Sequence, residues 1–557
     1  MTVRFKTCLL EMMAIILMIA AILLIVVVAG TADAGSIIDT KHNLSVSGPG
    51  DLVAVDEQRV CIFCHTPHHA SPVTPLWSRE TGGTAYNLYA STTLHAQPGQ
   101  PTGASRLCLS CHDGTIALGM LYQRSEPIPF VGGIGAIPAS RSTNLQTDLS
   151  DDHPVSFPYT STLAAENGQL RDPASLPSAV KLEDDLVLQC TSCHNPHKNP
   201  YGKFLVMDND GSALCLSCHQ PTAWSRSSHA QAASMAAKAC DNCHLPHNAP
   251  AGPRLLLYHE EEQTCFSCHD GSGSSLNVQA DFNKFYRHPV AATTGVHDPA
   301  ENPLSAPEHV ECVDCHNPHR VNGQTASAPG VNGRLEGVPG VDINGIVVAS
   351  SRDEYQICFR CHADNSFSAT VVVPRQVEEV NERLRFDPAN PSYHPVAAIG
   401  KNANVPSLRP EYDPTSRIYC SDCHNSDQGS KAGGAGPDGV HGSNHPHLLL
   451  ARYEQDNYPI SYAESNYSLC FRCHDPAILF DRFQSAFPGH WQHVQRFGIS
   501  CSLCHDPHGV PIAGGASSSA NAHLINFDTR FFTGSYDAVT RSCTVSCHRM
   551  NGGVHGY

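Results

Sequence analysis

Hydrophobic positions along this chain seldom hold a period for long. One uninterrupted apolar run stands near the start, from Met12 to Gly30, behind Arg4 and Lys6 and ahead of Ala32-Asp33-Ala34. A basic start, an apolar stretch and an A-x-A site form the pattern of an export signal cut before Gly35. An uncleaved anchor is the alternative reading, since about 18 apolar residues can span a bilayer. No second run of that length follows. Beyond it, helical spacing recurs only locally. Val377, Val380 and Leu384 predict a packing helix over 376–386, and 230–238 predicts a helix leading into Cys240. Glycine- and proline-rich stretches at 121–150, 322–350 and 425–445 predict loops. The pattern predicts a chain that is mostly loop, with short helices and little sheet.

Such a chain lacks the means to fill its own interior. Apolar residues make up 41% and charged residues 16%, below the usual shares of roughly 45–50% and 25%. Glycine and proline number 42 and 40. The net charge of −17 excludes the basic face that nucleic acid demands. What stands out instead is 25 cysteines and 34 histidines.

The cysteines are spaced for one chemistry. The string C-x-x-C-H occurs eleven times. The first six copies are Cys61-Cys64-His65, Cys108-Cys111-His112, Cys190-Cys193-His194, Cys215-Cys218-His219, Cys240-Cys243-His244 and Cys265-Cys268-His269. The next five are Cys312-Cys315-His316, Cys358-Cys361-His362, Cys420-Cys423-His424, Cys470-Cys473-His474 and Cys501-Cys504-His505. A twelfth, Cys543-Thr-Val-Ser-Cys547-His548, carries one extra residue, and only Cys8 is left over. Disulfides and zinc knuckles do not require a histidine after every second cysteine; attachment of c-type haem does. Each sulfur adds across one vinyl group. Two intervening residues place both cysteines on one helical turn against the porphyrin edge, and the next residue projects its imidazole to the iron as proximal ligand.

Twelve six-coordinate irons need twelve further ligands, and 22 histidines remain for them. Of the eight methionines, only Met120, Met207, Met235 and Met550 lie outside the signal, so a bis-His, low-potential set is expected. The motifs fall into six pairs. The first member usually reads C-x-x-C-H-x-P-H, which marks His68, His197, His247, His319 and His508; upstream of the pairs stand His42, His153, His229, His288, His394 and His490. Three residues span at most about 10–11 Å, too little to round a porphyrin edge, and proline disfavours helix in the residue before it. The H-x-P-H imidazole should therefore serve a neighbouring iron. The fifth pair lacks it, because Cys423-His424 runs on as Asn-Ser-Asp. Leucine lies eight residues beyond His197 and His247, at Leu205 and Leu255; counting back eight from Leu449 selects His441 over His445 and His447. The constant 25-residue step of the cysteines at 190, 215, 240 and 265 predicts that the second and third pairs form the most compact module.

The sequence resembles multihaem c-type cytochromes with doubled C-x-x-C-H motifs from the periplasm and outer surface of metal-reducing bacteria. The resemblance rests on Lys41-His42-Asn43-Leu44-Ser45, on CIFCHTPHHA at 61–70, on LCLSCHDG at 107–114 and on the five CHxPH strings. It implies a haem-packed fold and a stacked chain of bis-His haems. The function implied is an exported electron conduit, periplasmic or at the cell surface, that exchanges electrons with other redox proteins, an outer-membrane conduit or an extracellular acceptor. On this reading the chain is not an enzyme. A reductase with one distal-vacant haem and a polymerising filament subunit are the alternatives. After the signal at 1–34 the chain divides by pairs into 35–150, 151–225, 226–280, 281–388, 389–485 and 486–557. Intact-mass analysis of the denatured holoprotein should show twelve covalent haem increments on the exported chain. Eleven would mean that Cys543–Cys547 does not mature.

Overall fold

The computed structural model describes residues 36–557, apart from 69, 72–75, 82, 293–294, 366–370, 372, 457–459, 532, 546–554 and 557. The stretch read as an export signal, with Cys8, and the later Cys547 and His548 lie outside the described residues. The chain is mostly loop, 25% helical and 11% strand. Among the described residues no helix is long and apolar enough to cross a membrane.

Short helical turns stand where the motifs stand. Cys190–Cys193, Ala213–Cys218, Cys312–Cys315 and Glu354–Cys358 are short α-helices, and the longer Gly103–His112 and Glu261–His269 carry two second-of-pair motifs. Single 3-10 turns begin the motifs at Val60–Phe63, Ala239–Asn242, Cys420–Asp422, Cys470–Arg472 and Cys501–Leu503. In most of them the motif histidine N–H closes the turn on the carbonyl of the first cysteine, as His194 does on Cys190 at 2.9 Å. The twelfth site departs from this plan. Cys543 lies on a strand, Ser542–Val545, paired antiparallel with Gly534–Asp537 and with His555–Gly556. The extra residue of this motif thus goes with extended backbone at its first cysteine.

The remaining sheets are two-residue ladders that pin loops together. Asn87–Leu88 runs parallel to Asp148–Leu149. The others are antiparallel: Phe157–Pro158 with Val187–Leu188, Tyr286–Arg287 with Gly442–Ser443, Gly340–Val341 with Val347–Val348, and Ser392–Tyr393 with Gly509–Val510.

Contacts divide the chain into two compact units. The first holds residues 1–90, 94–220 and 246–248; the second holds 91–93, 221–245 and 249–557. This corrects the expected module of the second and third pairs. Cys190 and Cys215 belong to the first unit and Cys240 and Cys265 to the second, so even spacing in sequence does not make one body. The physical reason is the reach of a ligand segment: Pro246–Asn248, carrying His247, packs with the first unit while the motif before it stays in the second.

Apolar cores are small in both units. The first is built on Phe63, Leu118, Leu121 and Phe130. The second has one cluster on Val341, Phe359 and Phe386 and another on Tyr467, Phe471 and Phe480. Two expected helices are shorter than predicted. Over 376–386 only Glu382–Arg385 is helical, started by Asn381 accepting from the Arg383 and Leu384 amides. Val377 before it lies in a bend, its amide donating to Asn526. Over 230–238 the helix covers Ser228–Gln231 and ends at Ala232, whose ψ of 126° is extended. His229 there is held by the carbonyl of Pro318, and this tertiary anchor overrides alanine's helical preference.

Candidate haem sites

Imidazoles come together in facing pairs. In the first unit His42 faces His112 with ring centres 6.2 Å apart, while His65 faces His197, His153 faces His219 and His194 faces His247, each at 6.1 Å. In the second unit His229 faces His269 and His244 faces His319, both at 6.2 Å. His288 faces His362 at 6.3 Å, His316 faces His441 at 6.1 Å, His424 faces His508 at 5.9 Å and His490 faces His505 at 6.2 Å. Among charged neighbours His394 acts most strongly on His474, which lies close enough to feel its charge. Two imidazoles bound trans to one metal at about 2.0–2.1 Å place their ring centres roughly 6.3 Å apart, so the spacing fits an iron between each pair.

The pairing follows one rule. An upstream histidine faces the second motif of its own pair: His42, His153, His229, His288. An H-x-P-H histidine faces the first motif of the preceding pair, as His197 faces His65 and His319 faces His244. His441 takes that place toward His316, while His447 lends only its carbonyl to the His424 ring, at 2.8 Å. The sixth pair breaks the rule, since upstream His490 faces its own first motif, His505. His68 is exposed, and among the described residues no imidazole faces it.

Backbone carbonyls set the tautomers. A carbonyl only accepts, so a ring nitrogen beside one must carry the proton, which leaves Nε2 bare for a metal. Proximal Nδ1 atoms donate to Thr143 from His112 (2.7 Å), to Lys203 from His194, to Arg254 from His244, to Arg334 from His316 and to His523 from His505 (each 2.9 Å). Several of these carbonyls are aimed by left-handed backbone at non-glycine residues: Lys203 and Phe204, Leu255, His447 and Leu448, His523 and Leu524. Such conformations cost energy and persist where surrounding structure enforces them. The distal side uses the prolines. His42 donates Nδ1–H to the Pro196 carbonyl (3.1 Å), His229 to Pro318 (2.9 Å), His394 to Pro507, and His288 to Val440 (2.7 Å). Val440 precedes His441 as those prolines precede their histidines. Burial keeps these rings neutral: it lowers His319, His424, His474 and His505 to about 4 and His441 and His490 to about 3.

Successive motifs also adjoin. The Cys190 amide donates to Ser105, which precedes Cys108, at 3.0 Å. Glu261, ahead of Cys265, accepts from the Val313 amide at 3.1 Å, and Glu354, ahead of Cys358, accepts from the Ser421 amide and hydroxyl at 2.9 Å. The sulfurs meet there as well: Cys265 pushes the Cys312 thiol up, and Cys420 does the same to Cys358. These thiols stand where thioethers would form. Motif cysteines and imidazoles of the last pairs in the second unit, among them His362, His424 and His474, line a cavity of about 1560 Å³. Protein interiors are close-packed, and a void of this size lined by porphyrin-attaching residues has the room and the donors for haem.

The sequence family of the doubled CXXCH motif matches residues 186–223 and 232–273. A multihaem c-type cytochrome is what these findings support. Covalently bound haem at the motifs follows from the same match. No curated protein matches the chain.

Sequence reasoning missed the carbonyl acceptors, although the chain spells most of them. A basic residue followed by leucine or phenylalanine recurs behind the first motifs, as Lys203-Phe204, Arg254-Leu255, Arg334-Leu335, His447-Leu448 and His523-Leu524. The leucine register was approximate, since the ladder partner of His244 is Leu256 rather than Leu255, while Leu205 and Leu449 partner His194 and His424. Replacing His441 with Ala in the holoprotein should convert one low-spin haem to high-spin by electron paramagnetic resonance. His445→Ala and His447→Ala should leave the low-spin spectrum intact.

Proposed function

We propose that the chain is a dodecahaem electron conduit whose irons are bis-His ligated. The facing imidazoles carry this reading: a ring on each side of the metal leaves no position for substrate. Haem supplies one-electron carriage when bound. The polypeptide orients many of these imidazoles through Nδ1–carbonyl bonds and sets several neighbouring motifs against one another. The twelfth site, through Cys543, Cys547 and His548, rests on the sequence alone.

The apparent export signal and the c-type attachment chemistry support a place outside the cytoplasm, periplasmic or at the cell surface, within respiratory extracellular electron transfer. The charge of −17 favours redox partners with basic docking faces. The reduced holoprotein at neutral pH should not bind carbon monoxide. Stoichiometric binding by even one haem would replace this proposal with the distal-vacant reductase.

A second reading, the filament subunit, is favoured by exposed His68, whose counterparts in four other pairs each face a motif histidine. On this reading His68 reaches a haem of a neighbouring copy. His68→Ala should then yield monomers by light scattering, with a new high-spin signal. A wild-type protein that is monomeric throughout its concentration range would rule the filament out.

A further inference from the structure

Outside the haem sites, one cluster in the second unit is built like a coordination sphere. His297, Glu301, His309 and Asp314 each point a ligand atom at the others, all within 4.8 Å. His309 Nε2 lies 3.2 Å from a Glu301 oxygen. His297 Nδ1 lies 3.5 Å from Asp314 and 3.6 Å from Glu311. Four ligands about 2.1 Å from a tetrahedral ion stand roughly 3.4 Å apart, and these separations bracket that value.

Two observations beyond proximity point to a missing ion. His297 has a side chain only 5% exposed, yet its Nδ1 has no hydrogen-bond partner among the described residues, and neither does Glu311 Oε2 opposite it. Buried polar atoms in native proteins are nearly always satisfied. His309 donates its Nδ1–H to the Pro307 carbonyl at 2.7 Å, which turns its Nε2 toward Glu301, where either a proton or a metal ion joins the two. Charge tells the same story. Glu261, Glu301, Glu311 and Asp314 gather around one guanidinium, Arg360, which bonds Asp314 at 3.0 Å and Glu301 at 3.4 Å. Arg254, on the flank, pairs with Asp298 instead.

We infer that this cluster binds one first-row divalent cation of the zinc class, held by His297 Nδ1, His309 Nε2 and the carboxylates of Glu301 and Asp314, with Glu311 as the supporting carboxylate beside His297. Two imidazoles with carboxylates suit zinc-like ions over calcium or magnesium, which take all-oxygen shells. The place has a consequence for electron transfer. Asp314 lies inside the motif of His316 and Arg360 inside that of His362, so the ion's charge would sit between two candidate haems.

The test uses untagged holoprotein stripped with a chelator and dialysed against micromolar Zn²⁺. Wild type should retain one equivalent more than His309→Gln and Glu311→Gln, whose zinc affinity should fall at least about tenfold, with haem spectra unchanged in both. Millimolar Ca²⁺ should not displace that equivalent. No difference between wild type and variants would overturn the site, and displacement by Ca²⁺ would overturn the assignment of the ion.

Discussion

The facing of imidazoles in pairs is the constraint on which this structure depends. Each facing pair ties two stretches of chain that are distant in sequence, such as His65 with His197 or His316 with His441. In a chain of loops, two-residue ladders and small apolar clusters, these ties stand in for the packing that long helices or wide sheets provide. Ordering so much irregular backbone is costly in entropy. Groups that fix several segments at once, through two thioethers and two imidazoles per ring, offset that cost more effectively than scattered leucines could.

The same constraint explains what could be read from the sequence. Attachment chemistry is local and rigid in its spacing, so the motif cysteines and histidines are legible letter by letter. That an H-x-P-H imidazole faces a motif histidine of another pair was legible too, because three residues cannot round a porphyrin. Less local features were hidden. The proximal carbonyls come from turns nine to thirty-one residues downstream, and loop length varies more than the dipeptide that most often ends it. Helix propensity misled at 230–238, where tethering of His229 to Pro318 decides the backbone. Even spacing misled at the third pair, because His247 belongs with the first unit while its own motif does not. The cluster around His297 has no sequence signature, its members being scattered from Glu261 to Arg360.

Electrostatics and architecture meet at the junctions between pairs. Buried Glu261 and Glu354 each accept from the backbone of the next motif, and burial pushes the Glu261 carboxyl up to about 7. A carboxylate beside a haem edge stabilises the oxidised state and a bound cation the reduced one. In the proposed conduit the junctions are the places where the polypeptide grades the driving force along its length.

Proline in the H-x-P-H strings has a dual duty. The Pro196 carbonyl holds the imidazole of His42, and the next residue, His197, faces His65; Pro318 and His319 repeat this for His229 and His244. Under the proposed ligation one dipeptide serves two irons, neither of them on its own motif. A pair cannot be excised at its own borders without stripping ligands from the pair before it. Gain or loss of haems by recombination would have to proceed in frames that run from one H-x-P-H to the next, so the heritable unit of this wire is offset from its visible repeat.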